Sequence, residues 1–284
     1  MVEYDNKNWF SFLLKRTGYH YEGVFVSLLV YGIITAGLTY VHLNFDWKIF
    51  HIPATFHTVL GLVIGLLLVF RTNTAYERWW EGRRQLGSLV NTSRNLAMKF
   101  KSYGTNDAEL YQLLSVFPLV MKVHLRDKNF AEAIKLLPAH LLEKFNNAAH
   151  KPNFILLELS VKTNHLYKSG EISGEQLLVL ESKINDLTDI LGACERIHNT
   201  PIPIGYALHL KRILLIYLLT LPFGFIESLS WWCIPVVMVV FYTMIGIELI
   251  AEEIEDPFGT DVNDLPFDEL AEKIAANVEE IKNS

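Results

Sequence analysis

The chain has 284 residues, of which 51% are hydrophobic, and it carries a formal net charge of −6. A typical soluble domain lacks its long uncharged stretches, whereas a protein made only of membrane spans would be more apolar, so we expect a membrane protein with a large soluble part. The acidic balance and the absence of a Lys/Arg tract argue against nucleic acid as the main partner. The two cysteines lie in very different sequence contexts, so a disulfide framework is not expected.

Four apolar segments follow one another as two pairs. Residues 23–43 and 54–70 carry no formal charge and are each long enough, or nearly so, to cross a bilayer. A third span covers residues 206–226 if Lys211 and Arg212 lie at the interface, with a kink expected at its proline, and a fourth covers residues 231–247. The links within the pairs, residues 44–53 and 227–230, are short, so each pair is expected to be antiparallel.

Basic residues indicate the orientation of these spans. They concentrate before the first span, after the second and at the start of the third, whereas the two short links contain only Lys48 between them. The positive-inside rule then places both termini and the middle region in the cytoplasm. The middle region has helical periodicity with breaks at residues 104–106, 151–153, 170 and 200–203. The predicted organisation is a cytosolic segment at 1–22, two spans at 23–71, a cytosolic helical region at 72–205, two spans at 206–251 and an acidic segment with a helix at 252–284.

The second span carries two further patterns. Gly61 and Gly65 form a G-x-x-x-G pair, a spacing that lets neighbouring helix backbones approach closely. Leu62, Leu66 and Phe70 recur every four residues and therefore form one stripe on a helix face. From the residues alone, this stripe either lines a passage or touches lipid.

No catalytic constellation is visible. The ten histidines are scattered, and the pair His51 and His57 has no Cys or carboxylate nearby at metal-ligand spacing. Nucleotide-binding and zinc-protease motifs are missing from the sequence. The acidic run at residues 252–264 offers oxygen ligands for Ca²⁺ but not at EF-hand spacing, and a solvated helix end with capping residues is the favoured explanation. We therefore do not expect an enzyme.

Three sequence blocks resemble the bestrophin family, and most closely its bacterial members. They are FRTNTAYERWWEGR at 70–83, NDLTDILGACERIHNTPIPIGY at 185–206 and EEIEDPFGTDVNDLPFD at 252–268. The blocks occur in the family's order, and the resemblance covers essentially the whole chain. It implies an all-α pentameric channel with four membrane helices per subunit, a large helical cytosolic region and one axial pore.

The resemblance also implies roles for particular residues. The hydrophobic neck of the family falls on Leu62, Leu66 and Phe70, and its cytosolic exit constriction falls near Glu175, where relatives carry an aliphatic residue. Five carboxylates at such an exit would attract cations and repel anions.

The acidic segment of animal bestrophins forms a Ca²⁺ clasp. Here Ile254 and Pro257 stand where the animal pattern has liganding aspartates, so we expect no Ca²⁺ switch of the animal type and no other cofactor. The remaining acidic residues are expected to act mainly at the helix end and in subunit contacts; they are Glu252, Glu253, Glu255 and Asp256.

These observations predict a homo-pentameric channel in the bacterial inner membrane that passes small monovalent ions, with Na⁺ and K⁺ favoured over chloride. An anion channel like the animal bestrophins is the alternative. A membrane transporter or scaffold would also fit the pattern of spans. Its partners would be further copies of the chain, lipid and the permeant ions.

Overall fold

The computed structural model describes residues 21–45, 52–105 and 107–284. Within these ranges the regular elements are all helices and no strand occurs, which confirms the all-α fold class. The predicted segment 1–22, apart from its last two residues, lies outside the described residues, as do Lys48 and His51. The α-helices are α1 (Tyr21–Phe45), α2 (Ala54–Ser102), α3 (Ala108–Leu125), α4 (Ala131–Leu136), α5 (Leu142–Asn147), α6 (Lys151–Lys168), α7 (Gly174–Asn199), α8 (Ile204–Leu229), α9 (Cys233–Glu255) and α10 (Phe267–Asn283).

The predicted membrane spans coincide with long apolar helices. Among the described residues, three stretches are long and apolar enough to cross a membrane: Gly23–Phe45, Ala54–Ser102 and Ile204–Glu255. The third stretch contains both α8 and α9, so the described part of the chain has four such helices in two pairs. The predicted link at residues 227–230 is wrong in position, because α8 continues to Leu229 and a 3₁₀ turn, Ser230–Trp232, makes the connection. Ser230 adopts φ of 50°, which reverses the chain within this short turn.

Helix α2 continues well beyond the second span. It has 49 residues and, at 1.5 Å per residue, is about 75 Å long, against about 30 Å for the hydrocarbon core of a bilayer. No proline interrupts it, so the change from apolar to polar sequence at residue 71 produces no break in the backbone. The span and the start of the polar region are therefore one helix.

The chain divides into two compact units. The first contains the described residues up to Trp79 together with Pro201–Asp256 and Thr260–Asp264, so it holds α1, α8, α9 and the part of α2 up to Trp79. Its core forms where α1, α2, α8 and α9 meet. Tyr31 of α1 donates a hydrogen bond to the Leu218 carbonyl of α8 at 2.7 Å and stacks on Phe241 of α9, with 4.7 Å between the ring centroids. The apolar helices are thus tied together by a buried polar contact as well as by packing.

The second unit contains most of the predicted helical region together with the last helix of the chain. It comprises Trp80–Thr200, Pro257–Gly259 and Leu265–Ser284. Helix α3 lies at its centre and packs against α6, α7 and α10. The rings of Phe100, Phe117 and Phe145 are buried in this unit.

Local chemistry sets the helix ends of this unit where the sequence predicted breaks. Gly104 and Gly170 adopt φ of 75° and 79°, a region that glycine reaches without strain, just after α2 and α6 end. A capping box joins Ser173 and Gln176 at the start of α7. The break at 151–153 is displaced: Pro152 lies in the first turn of α6, where proline is tolerated, so the helix begins rather than ends there.

Candidate functional site

The apolar stripe on α2 faces away from the core of its own unit. The exposed fractions of Leu62, Leu66 and Phe70 are 77%, 56% and 56%, whereas those of Ile64 and Leu68 on the opposite side of the helix are 0% and 3%. One face of α2 therefore packs inside the subunit, and the other presents three large apolar side chains in a row. Such a row on a membrane helix is available to another subunit, to lipid or to a passage for ions.

The two glycines next to the stripe have different surroundings. A Cβ atom at Gly61 would lie 2.7 Å from the Tyr217 hydroxyl of α8, so this glycine allows a close helix contact within the subunit. A Cβ atom at Gly65 would meet nothing within 4 Å. Only Gly61 therefore acts in packing between α2 and α8, and the role of Gly65 against another subunit stays a prediction.

A buried arginine follows the stripe directly. Arg71 is 1% exposed and donates a hydrogen bond to the Glu255 carboxylate at 2.6 Å, while Glu248 lies 3.8 Å from its Nε. A buried charge is tolerated only when it is paired, and here two carboxylates of α9 compensate one guanidinium. The positive charge beside Phe70 is therefore held within the unit rather than offered to the exposed stripe.

Glu255 joins three separate segments of the first unit. Its carboxylate accepts the hydrogen bond of Arg71 from α2 and also that of the Ile202 backbone N–H at 2.8 Å, and its carbonyl accepts Arg78 Nε at 3.1 Å. The end of α9 is thus fastened both to α2 and to the turn before α8. Sequence reasoning placed Glu255 at a helix end but missed its partners, which lie 53 to 184 positions away.

Two more acidic residues in the last turn of α9 also make contacts within the chain. Glu252 forms an ion pair with Lys211 at 2.7 Å, and Glu253 accepts hydrogen bonds from the Asn263 side chain at 2.8 Å and its backbone N–H at 3.3 Å. The Asn263 carbonyl in turn accepts Trp79 Nε1–H at 2.9 Å. Glu253 therefore holds the segment after α9, and Glu252 links the end of α9 to α8. The predicted subunit contacts of this cluster, including Asp256, stay a prediction.

Asp264 is a buried carboxyl group in the segment after α9. It is 8% exposed, and one of its carboxylate oxygens accepts the Asp261 backbone N–H at 2.5 Å. Burial, together with the nearby carboxylates of Asp261, Asp256 and Glu253, raises the pKa of Asp264 to about 7. This carboxyl group therefore exchanges its proton near neutral pH, unlike an ordinary aspartate.

The predicted exit residue lies at the start of α7. Glu175 is exposed, and its carboxylate accepts a hydrogen bond from the Ser173 hydroxyl at 2.7 Å. This bond, helped by the Glu175 backbone N–H, lowers the pKa of Glu175 and keeps it ionised.

An exposed leucine lies one turn further along the same helix. Leu178 is 71% exposed and, three residues after Glu175, lies on the same side of α7. Sequence reasoning did not single it out, although an aliphatic residue is what the resemblance leads one to expect at the exit. An acidic and an aliphatic side chain are therefore both available at this end of α7.

Comparison with related sequences supports the family resemblance. The family model described as "Bacterial/Fungal Bestrophin protein" matches residues 1–280. A protein of Synechocystis sp. named as a voltage-dependent anion channel-forming protein is 37% identical over 282 residues, which are 96% of this chain and 91% of the relative. A protein of Nostoc sp. with the same descriptive name is 38% identical over 238 residues, or 81% of this chain and 78% of the relative.

The fold is also similar to a solved structure. The crystal structure of a bacterial bestrophin homologue from Klebsiella pneumoniae superposes with a TM-score of 0.88 at 26% sequence identity, covering 92% of this chain and 99% of that one. The four apolar helices, the three sequence blocks and a family match over nearly the whole length lead to one conclusion. The chain belongs to the bacterial and fungal bestrophin family.

Proposed function

We propose that this chain forms a homo-pentameric channel that passes small monovalent ions, with cations favoured, across the bacterial inner membrane. The observation that carries the proposal is the row of Leu62, Leu66 and Phe70, which is exposed on the subunit although all three side chains are large and apolar. Family membership and the four long apolar helices support a multi-pass channel protein rather than an enzyme.

Five copies of the stripe would make three apolar rings around one axis. Side chains of this kind offer a passing ion nothing to replace its hydration shell, so the constriction conducts only when it is wide enough to stay wet. A small change in its radius then decides between conduction and closure. The stripe in this arrangement acts as the gate.

Charge near the two constrictions favours cations. Arg71, the basic residue beside the stripe, is neutralised by Glu255 and Glu248, so it adds little positive potential. Glu175, which stays ionised, would form a ring of five carboxylates at the cytosolic exit, with the Leu178 ring next to it. A ring of carboxylates concentrates cations and repels anions.

Anion conduction is the second candidate. The relatives from Synechocystis and Nostoc are both named as anion channel-forming proteins. An apolar neck does not by itself distinguish the sign of an ion, so a channel of this build could serve either. The cation and anion channels would share the apolar neck and differ only in the charge around it.

The reversal potential under a KCl gradient distinguishes a cation channel from an anion channel. Purified protein in planar bilayers is expected to reverse near the K⁺ equilibrium potential, and Glu175→Ala is expected to move the reversal potential towards zero. Reversal near the Cl⁻ equilibrium potential would overturn the cation proposal and support the anion channel. Absence of current from an intact oligomer would contradict the channel itself and favour a transporter or scaffold.

The neck has a matched pair of variants on one helix. Leu66→Ala removes an exposed side chain, so we expect larger currents, an unchanged reversal potential and little loss of stability. Leu68→Ala removes a side chain that is 3% exposed, so we expect about 2–5 kcal/mol of lost stability through cavity formation. Unchanged currents in a folded Leu66→Ala oligomer would contradict the neck assignment.

Topology and calcium dependence complete the proposal. Both termini and residues 72–205 lie in the cytoplasm, because Lys and Arg cluster beside the spans on that side. Ile254 and Pro257 supply no side-chain oxygen, so channel activity is expected to be independent of Ca²⁺ added to the cytosolic side. Activation by micromolar Ca²⁺ in the bilayer recordings would contradict this part.

A further inference from the structure

Three side chains from three helical segments of the second unit converge on one point. His124 lies near the end of α3, His150 precedes the first residue of α6, and Glu195 lies on α7. The Glu195 Oε1 atom is 2.8 Å from His124 Nε2 and 2.7 Å from His150 Nε2. The two imidazole rings are 4.6 Å apart between centroids. Sequence reasoning missed the group because its members are 71 and 45 positions apart.

The donor set has the chemistry of a transition-metal site. Imidazole nitrogen and carboxylate oxygen are ligands that Zn²⁺ prefers, and two histidines with one glutamate make a zinc site whose fourth position is open to water. One ligand atom from each residue lies within 4.8 Å of the other two, and among the described residues no other group of three His, Cys, Asp or Glu side chains has this arrangement.

We propose that His124, His150 and Glu195 bind a divalent transition-metal ion, with Zn²⁺ the best fit. The ion would join α3, α6 and α7, which already pack against one another in the second unit. None of the three residues belongs to the proposed neck or exit constriction, so the metal site stands whether or not the proposed function is correct.

The imidazole nitrogens must move only slightly away from Glu195 to make room for a metal ion. With metal–ligand bonds of about 2.0–2.2 Å, tetrahedral ligand atoms lie about 3.3–3.5 Å apart. The observed separations of 2.7 and 2.8 Å are hydrogen-bond lengths, so each imidazole must retreat by roughly half an ångström. The side chains of His124, His150 and Glu195 are 31%, 35% and 25% exposed, which leaves room for this movement and a route for the ion.

One hydrogen bond opposes metal binding. His150 Nδ1 accepts the Asn153 backbone N–H at 3.2 Å, which places the ring proton on Nε2, where it is donated to Glu195. Coordination through Nε2 moves the remaining proton to Nδ1, and the Asn153 amide at the start of α6 then loses its acceptor. This contact is long for a hydrogen bond, so three metal–ligand bonds outweigh it.

The chain offers a matched control for the test. His140 Nε2 lies 3.2 Å from Glu109, which is also a histidine–glutamate contact, but it has no second histidine and the His140 side chain is 64% exposed. His140→Gln therefore removes an imidazole without touching the proposed site. Glu195→Gln and His124→Gln remove ligands while keeping side-chain size and hydrogen-bonding capacity.

Zinc binding to the purified full-length protein tests the proposal. Metal-free protein is titrated with Zn²⁺ against a chromogenic chelator, and Co²⁺ is used as a spectroscopic probe of tetrahedral geometry. We expect one Zn²⁺ per subunit that is lost or weakened at least about tenfold in Glu195→Gln and His124→Gln, and retained in His140→Gln. Zn²⁺ should also raise the melting temperature of the wild type but not that of Glu195→Gln.

Two results would overturn the proposal. In the first, folded wild-type protein binds no Zn²⁺ at micromolar free metal, which would leave the three residues as a hydrogen-bonded cluster. In the second, wild type and Glu195→Gln bind the same number of ions with the same affinity, which would place the metal elsewhere, for instance at the acidic segment after α9. Circular dichroism and oligomer size of each variant separate loss of ligand from loss of fold.

Discussion

Arg71 is predicted to be the most sensitive charged residue of the first unit. Arg71→Met keeps the apolar stem of the side chain but leaves Glu248, 4% exposed, and Glu255 without their cation. Removing one partner from a buried ion pair costs about 3–5 kcal/mol, because the remaining charge stays away from water. We therefore expect a loss of stability in this range.

A second arginine of the chain isolates the effect of burial. Arg196 contacts Glu81 at the same 2.6 Å, but these side chains are 64% and 32% exposed, against 1% and 16% for Arg71 and Glu255. Exposed pairs contribute about 0–1 kcal/mol, so Arg196→Met is expected to have little effect. Replacing arginine by methionine should therefore cost severalfold more stability at Arg71 than at Arg196, although both ion pairs have the same 2.6 Å distance.

Denaturant unfolding of the purified protein in detergent measures both variants. The double variant Arg71→Met with Glu255→Gln is expected to be more stable than the sum of the single changes implies, since the neutral amide no longer needs a cation. Equal losses for Arg71→Met and Arg196→Met would refute the argument from burial. Additive effects in the cycle would show that Arg71 and Glu255 are not coupled.

Three further predictions concern titratable groups outside the spans. Burial and neighbouring carboxylates raise the pKa of Asp264 to about 7, so the protein loses stability as pH rises from about 4 to about 7. Asp264→Asn should therefore stabilise the protein near pH 8 and leave its stability unchanged near pH 4. Unfolding measured at both pH values tests this. Despite partial burial, hydrogen bonds from Lys122 and Arg126 lower the pKa of Asp268 to about 2. Because Asp268 is 57% exposed, Asp268→Asn should cost less than about 1 kcal/mol near pH 7, and its difference from wild type in unfolding should shrink as pH falls from about 4 to about 2. Burial raises the pKa of the Cys194 thiol to about 12, so a maleimide should label it only after denaturation, which mass spectrometry detects.

Local sequence was sufficient for the helices and for most of their ends. Uncharged stretches of spanning length, the glycines at 104 and 170 and the prolines at 201 and 203 act within a few residues of themselves, so their effect can be predicted without the fold. The link after α8 was misplaced because the polar residues that were expected to end the helix are tolerated within its last turn.

The sequence gives the spacing of the candidate neck residues but not the direction in which they face. The four-residue spacing of Leu62, Leu66 and Phe70 places them on one face of a helix, and the resemblance to the family gave that face a role. Whether it points into the subunit or away from it depends on which side of α2 the other helices cover. The structure decides this by burying Ile64 and Leu68 instead.

Local patterns were enough to predict an all-helical membrane protein of the bestrophin family, because periodicity, charge-free length and contiguous motifs are properties of neighbouring residues. The pairing of charges and the meeting of polar side chains from different helices became visible only in the folded chain. Arg71 meets Glu255 across 184 positions, and His124 meets Glu195 across 71. Contacts of this kind arise when helices distant in the chain pack side by side, and no local pattern records them.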